Sequence, residues 1–261
     1  MTAYSQPELG IELKDFVATI EIQRPPLNFF DFNLIKQIAD TLEALDKDPE
    51  CRSVVLCANG KAFCAGADFS SSGEDDDAVD RLGVGNLYEE ATRIFACRKP
   101  IVAAVHGAAI GGGLGLAMSA DFRVCSEASR FAANFTRLGF HPGFGLTHVL
   151  PRAIGQQRAW LMFYTSRRVK GDEAVEWGLA DVLAPVGEER KVAWDLAREI
   201  AENSPLGLDT TRETLRQGLA EAVKKATARE LAVQEELRHT EDFAEGVRAT
   251  AARELPNFKG R

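Results

Sequence analysis

The chain has 261 residues, 45% of them hydrophobic and 27% charged, enough to bury a full core in one large soluble domain. Its 39 acids against 31 bases give a formal charge of −8, which excludes a general nucleic-acid footprint and leaves any anionic ligand to be met by local basic residues. No apolar run approaches the roughly 18 residues of a membrane span, and the polar start Met1 to Pro7 carries no signal-peptide pattern. A cytoplasmic protein without membrane partners is therefore expected.

The chain then reads as alternating strands and helices. Phe16 to Ile22 alternates as a strand, which Arg24-Pro25-Pro26 ends because proline removes a ladder donor. Asp31 is placed to cap a helix with Leu34, Ile38, Leu42 and Leu45 on one face. Ser53 to Ala58 is a buried strand running into the turn Asn59-Gly60-Lys61-Ala62-Phe63-Cys64-Ala65-Gly66-Ala67-Asp68. Residues 69–77 are polar and acidic, as in a solvated loop, and a helix over about 82–97 carries Tyr88, Glu89 and Glu90. Ile101 to Val105 is the central strand, and Phe122 to Cys125 a further short one. From about Glu188 the pattern is helical, with Val192, Leu196 and Ile200 on one face, followed by helices over about 206–219, 221–240 and 242–255. Repeated strand, turn and helix argue for a layered α/β core over residues 1–195, with a packed helical portion over 196–261. Five cysteines, Cys51, Cys57, Cys64, Cys97 and Cys125, are odd in number, lack metal-ligand spacing and lie mostly in apolar runs, so they read as small buried hydrophobes.

Chemistry concentrates where the central strand meets glycines 107, 111, 112, 113 and 115 and then a small-residue helix ending near Ala120. Glycines at a strand-to-helix turn leave bare backbone N–H groups at the positive end of a helix, where an oxygen carrying negative charge is favoured. A tight-packing turn without a ligand is the alternative reading.

The pairing of Phe63-Cys64-Ala65-Gly66-Ala67-Asp68 with His106-Gly107-Ala108-Ala109-Ile110-Gly111-Gly112-Gly113 resembles the crotonase, or enoyl-CoA hydratase/isomerase, superfamily. The resemblance extends through Leu138-Gly139-Phe140-His141-Pro142-Gly143-Phe144-Gly145 and Gly178-Leu179-Ala180-Asp181 to the C-terminal end, almost the whole chain. It implies a ClpP-like spiral of βαβ units, trimerised through C-terminal helices as a homotrimer or dimer of trimers. It also implies an acyl-CoA substrate with no cofactor beyond coenzyme A itself. The backbone amides that match the family's oxyanion hole are those of Ala67 and Gly112. Asn28, Ala65, Asp68, Gly111, Phe135, Phe258 and Lys259 fall at positions that border the substrate, the last two and Phe243 near the CoA.

The family's hydratases also use two glutamates, and this chain has Gly115 and Phe135 at those positions. Neither residue transfers protons, so water addition by an acid/base pair is unsupported. Isomerisation, decarboxylation or C–C cleavage, the work of a lyase or isomerase, is expected instead. His141 is the candidate proton carrier. His106 reads as structural, and His148 and His239 carry no constellation. A non-catalytic acyl-CoA binder and a CoA-independent β-diketone hydrolase are the alternatives.

Overall fold

A computed structural model describes residues 4–67 and 84–261. Six strands form the main sheet: β1 (Leu9–Lys14), β2 (Val17–Ile22), β3 (Ser53–Ala58), β4 (Ile101–Val105), β6 (Phe122–Cys125) and β9 (Val182–Leu183) lie side by side in that order. β1 pairs antiparallel with β2, and the remaining neighbours are parallel. Such strands need both faces covered, which explains why β3 and β4 are uninterrupted runs of buried residues rather than alternating ones.

One face is covered by α1 (Phe32–Asp46), α2 (Val84–Ala96) and α3 (Gly112–Ser119). Asp31 caps α1 as expected, its carboxylate accepting from the Leu34 N–H at 3.0 Å, and Leu34, Ile38, Leu42 and Leu45 are all buried. The other face is covered by α7 (Glu189–Ala201), which lays Ala193, Ala197 and Ala201 against Val55, Val102 and Val124. Alanine every fourth residue gives that helix a flat stripe on which it can approach the sheet closely. The expected division at 195/196 falls inside α7, so the helices that leave the sheet begin later, with α8 (Pro205–Leu215), α9 (Leu219–Leu237) and α10 (Glu241–Ala252).

A second sheet, β5-β7-β8, joins Ala108–Ile110 in parallel to Arg130–Ala132 and the latter antiparallel to Val169–Lys170. The remaining helices are α4 (Leu146–Ile154), α5 (Gln156–Thr165) and α6 (Gly171–Trp177), with a single 3-10 turn over Asn134–Leu138 before α4. β5 lies within the stretch that reads from sequence as the approach to the glycine turn.

The C-terminal helices are tied back to the sheet through Asp121, at the start of β6. Its carboxylate accepts from Arg212 Nε at 2.9 Å, from an Arg216 terminal nitrogen at 2.6 Å and from the Ile101 N–H at 2.8 Å. Burial alone would raise the Asp121 pKa, but the two guanidiniums and the amide outweigh it and hold the carboxyl below its ordinary range.

Candidate active site

The site is assembled by threading one segment between two others. After β3, the chain runs back so that Cys64 N–H donates to Ala108 O at 3.0 Å and Ile110 N–H donates to Cys64 O at 3.0 Å. On the opposite side, Ala65 N–H donates to Leu27 O and Phe30 N–H to Gly66 O, both at 3.0 Å. These ladders set Gly66-Ala67 beside Gly111-Gly112. A Cβ built on Gly66 would lie 3.8 Å from the Gly112 nitrogen.

Gly111 holds φ +57° to turn the chain from β5 into α3, a left-handed conformation that favours glycine. Two residues later, a side chain on Gly113 would overlap the Cys64 carbonyl, so the helix reaches the 64–67 segment only because that side chain is missing. Gly111 offers α3 no side-chain cap. Among the described residues, neither the Gly112 N–H nor the Ala67 N–H is taken by an acceptor.

Both residues stand in the wall of one cavity of about 250 Å³. Ala65, Gly66, Ala67, Gly111 and Gly112 form its backbone-lined end. Phe29, Phe30, Leu87, Phe135, Leu138, Phe140 and Phe144 make its apolar walls, and Val247 and Ala251 of α10 close it. Its polar side chains are those of Tyr88, Asn134, Gln234 and Thr250, and no Asp, Glu, Lys, Arg or His lines it among the described residues. An N–H pair at the wall of such an apolar cavity strengthens any hydrogen bond it makes to an oxygen, because the surrounding medium is of low polarity.

Of the side chains singled out from the sequence, Ala65, Gly111 and Phe135 line this cavity with Ala67 and Gly112, and four others do not. The imidazole of His141 faces its own neighbour, Nδ1 donating to Pro142 O at 2.8 Å, and lies outside the cavity wall. Asn28 is fully buried and spends its side chain on structure. Its Oδ1 accepts from the Arg24 N–H at 3.0 Å, and its amide nitrogen donates to Asn59 O and Ala62 O. It fixes the turn that carries Phe30 to the cavity. Phe258 and Lys259 belong to a tail folded onto the start of α10, where the N–H groups of Lys259 and Gly260 donate to the Asp242 carboxylate. Phe258 lines a separate surface hollow with Thr136 and Gly139. Asp68 and the acidic residues 74–77 lie outside the described residues.

His106 is structural, as expected: its ring bonds Gly60 O at 3.2 Å and its carbonyl accepts from Phe63 N–H. The cysteines are all unpaired and buried, and burial pushes the Cys64 thiol up to about 12, which removes it as a nucleophile.

Sequence reasoning missed Phe144, Gln234 and Glu230. The last two sit on the buried face of α9, where Val223, Thr227, Glu230 and Gln234 recur at spacings of three and four. That spacing was the available signal. Glu230 caps the start of α4, accepting from the N–H groups of Gly145 at 2.8 Å and Thr147 at 3.0 Å, and burial pushes its carboxyl above the ordinary range despite those bonds. Tyr88 donates its hydroxyl to Gln234 Oε1 at 2.8 Å, and burial followed by the nearby Glu230 raises its pKa so that it stays a neutral phenol.

The chain is thus a layered α/β protein with a glycine-turn amide pair at one end of an apolar cavity. The family model described as enoyl-CoA hydratase/isomerase matches residues 12–261, and the chain belongs to that family, with its crotonase fold. It is 32% identical to the short-chain-enoyl-CoA hydratase of Clostridium acetobutylicum over 96% of this chain and 97% of that protein. It is 30% identical to the carnitinyl-CoA dehydratase of Proteus mirabilis, over 97% of this chain and 98% of that one. Among solved structures, the enoyl-CoA hydratase/isomerase from Pseudoalteromonas atlantica T6c superposes with a TM-score of 0.85 at 29% identity, covering 97% of this chain and all of that chain.

Proposed function

We propose that the chain binds an acyl-CoA thioester, holds its carbonyl oxygen at the Ala67 and Gly112 amides, and uses that hold to stabilise an enolate or related oxyanion. The observation that carries this reading is the pair of unengaged N–H groups in one wall of an apolar cavity. As a thioester is converted to its enolate, charge accumulates on the carbonyl oxygen. Donors fixed beforehand at that oxygen lower the barrier without having to reorganise. No cofactor beyond the coenzyme A of the substrate enters this scheme.

The same reading sets enolate chemistry above water addition: decarboxylation forms the enolate without a protein base, whereas isomerisation or C–C cleavage would draw its base or activated water from outside the described cavity wall. Addition of water across an enoyl double bond needs a positioned acid and base. Gly115 has no side chain to offer and Phe135 presents a phenyl ring to the cavity. A second reading, acyl-CoA binding without turnover, is favoured by the lack of any charged side chain in the described cavity wall.

A panel of crotonyl-, β,γ-enoyl-, malonyl- and β-ketoacyl-CoA esters tests both. The expected result is turnover of one of the last three with negligible hydration of crotonyl-CoA. Rapid hydration of crotonyl-CoA would refute the preference for enolate chemistry, whereas binding of several esters with turnover of none would select the second reading.

A further inference from the structure

The position of Gly115 is occupied from outside. A Cβ built there would stand 2.5 Å from Phe144 Cβ and 2.8 Å from its ring carbons, so the Phe144 side chain fills the volume into which a longer residue at 115 would project. A Cβ on Gly112 would likewise overlap the ring of Phe30. The two rings pack on one another, centroids 5.7 Å apart and planes tilted by 58°. Together they roof the first turn of α3, next to the end of the cavity that holds the Ala67 and Gly112 amides.

Phe144 is held in this place against its backbone preference. Its φ is +60°, a left-handed value that costs a bulky residue free energy and persists only where the surroundings impose it. The surroundings are a clamp from two helices. Tyr88 of α2 donates to Gln234 Oε1 of α9, and Gln234 Nε2 donates to His141 O at 2.9 Å, gripping the segment just before Phe144. Gly143 must lack a side chain because the Tyr88 hydroxyl stands where its Cβ would be.

We infer that Phe144 is the specificity-determining residue of the cavity, set by Tyr88 and Gln234 to admit straight acyl chains and reject those branched at the carbon next to the thioester carbonyl. The inference rests on the thioester reading above, because that reading places the carbonyl at the two amides. On that reading, the Phe30 and Phe144 rings, which line the cavity beside the amide end, are the wall that a branch next to the carbonyl would meet. One extra methyl against a packed wall changes affinity by roughly 10-fold or more. Tyr88 and Gln234 are positioning residues, acting through the segment just before Phe144.

The test is calorimetric binding of butanoyl-CoA and 2-methylbutanoyl-CoA to the full chain. The wild type is expected to bind the straight ester about 10-fold or more tightly than the branched one. Phe144→Ala is expected to bring the two affinities close to equal, with Phe144→Leu between. Tyr88→Phe, which removes only the hydroxyl that bonds Gln234, is expected to lower the ratio as well, a change that loss of stability alone would not produce. Equal affinities in the wild type, or a ratio unchanged by Phe144→Ala, would overturn the inference while leaving thioester binding intact. Should Phe144→Ala not fold, Phe144→Leu and the wild-type ratio decide. Binding of neither ester by the wild type would instead remove the thioester reading, and this inference with it.

Discussion

Replacing Ala67 by proline is expected to lower turnover of the chain's CoA ester by about 10²–10³-fold, the usual cost of deleting one oxyanion donor. Proline removes the N–H and puts its ring Cδ in the place of that hydrogen, so the donor is lost and the seat of the oxygen is crowded in one change. Because the donor acts mainly when charge has developed on the oxygen, kcat is expected to fall much more than KM rises. A loss confined to KM would mean that residue 67 contributes binding without stabilising the charged state. The neighbouring turn survives the exchange in principle, since the ladder bonds of this segment use the Ala65 N–H and the Gly66 carbonyl rather than the Ala67 N–H. Circular dichroism checks that point.

Asp121→Ala is expected to be the most damaging single change to stability. It leaves Arg212 and Arg216 mostly buried without their shared carboxylate and frees the Ile101 N–H. Breaking one partner of a buried ion pair costs about 3–5 kcal/mol. In a chain of this size that corresponds to a fall in melting temperature on the order of 10 °C. The pH dependence follows from the lowered carboxyl. A group whose folded pKa lies below its ordinary 3.8 contributes stability that is present above that value and is lost as pH falls through the folded pKa. The stability difference between wild type and Asp121→Asn is therefore expected to narrow as the pH drops below about 4. A difference that stays constant through acid titration by denaturant unfolding would show that the carboxylate charge is not what the arginines are holding.

The parts of the fold that announce themselves in sequence are those whose physics is local. The Asp31 cap and the three- and four-residue spacing behind it locate α1 within a residue, because the cap and the buried face are both written in consecutive positions. The hairpin of β1 and β2 was not legible. Its two turn residues, Asp15 and Phe16, adopt φ of +50° and +66° without the glycine or asparagine such a turn usually carries. The Arg52 guanidinium sits 3.7 Å over the Phe16 ring, a contact from far along the chain that supports the unfavourable conformation. The small sheet was hidden for a similar reason. β5 is three residues long, and its ladders run to β7 and to Cys64.

The site divides along the same line. Glycines 111–113 and the Gly66-Ala67 turn were visible because a backbone cradle needs particular residue types at fixed places. His141 was singled out for its chemistry and turned out to face Pro142, since residue type says nothing about where a ring will point. Phe144 stood out only as part of the turn over 138–145: its packing comes from Gly115 on α3, and from Tyr88 and Gln234, which no spacing connects to it. The absence of a residue can be read in sequence, whereas what moves in to fill its volume cannot.

Two main-chain donors on one carbonyl oxygen weaken its C=O bond. Isotope-edited infrared difference spectroscopy of a bound acyl-CoA, carbon-13 labelled at the thioester carbonyl, reports on that bond directly. The carbonyl stretch is expected to move to lower frequency on binding to the wild type, and to recover most of that shift in Ala67→Pro. A bound carbonyl that absorbs at its solution frequency in the wild type, or one whose shift is indifferent to residue 67, would contradict the account.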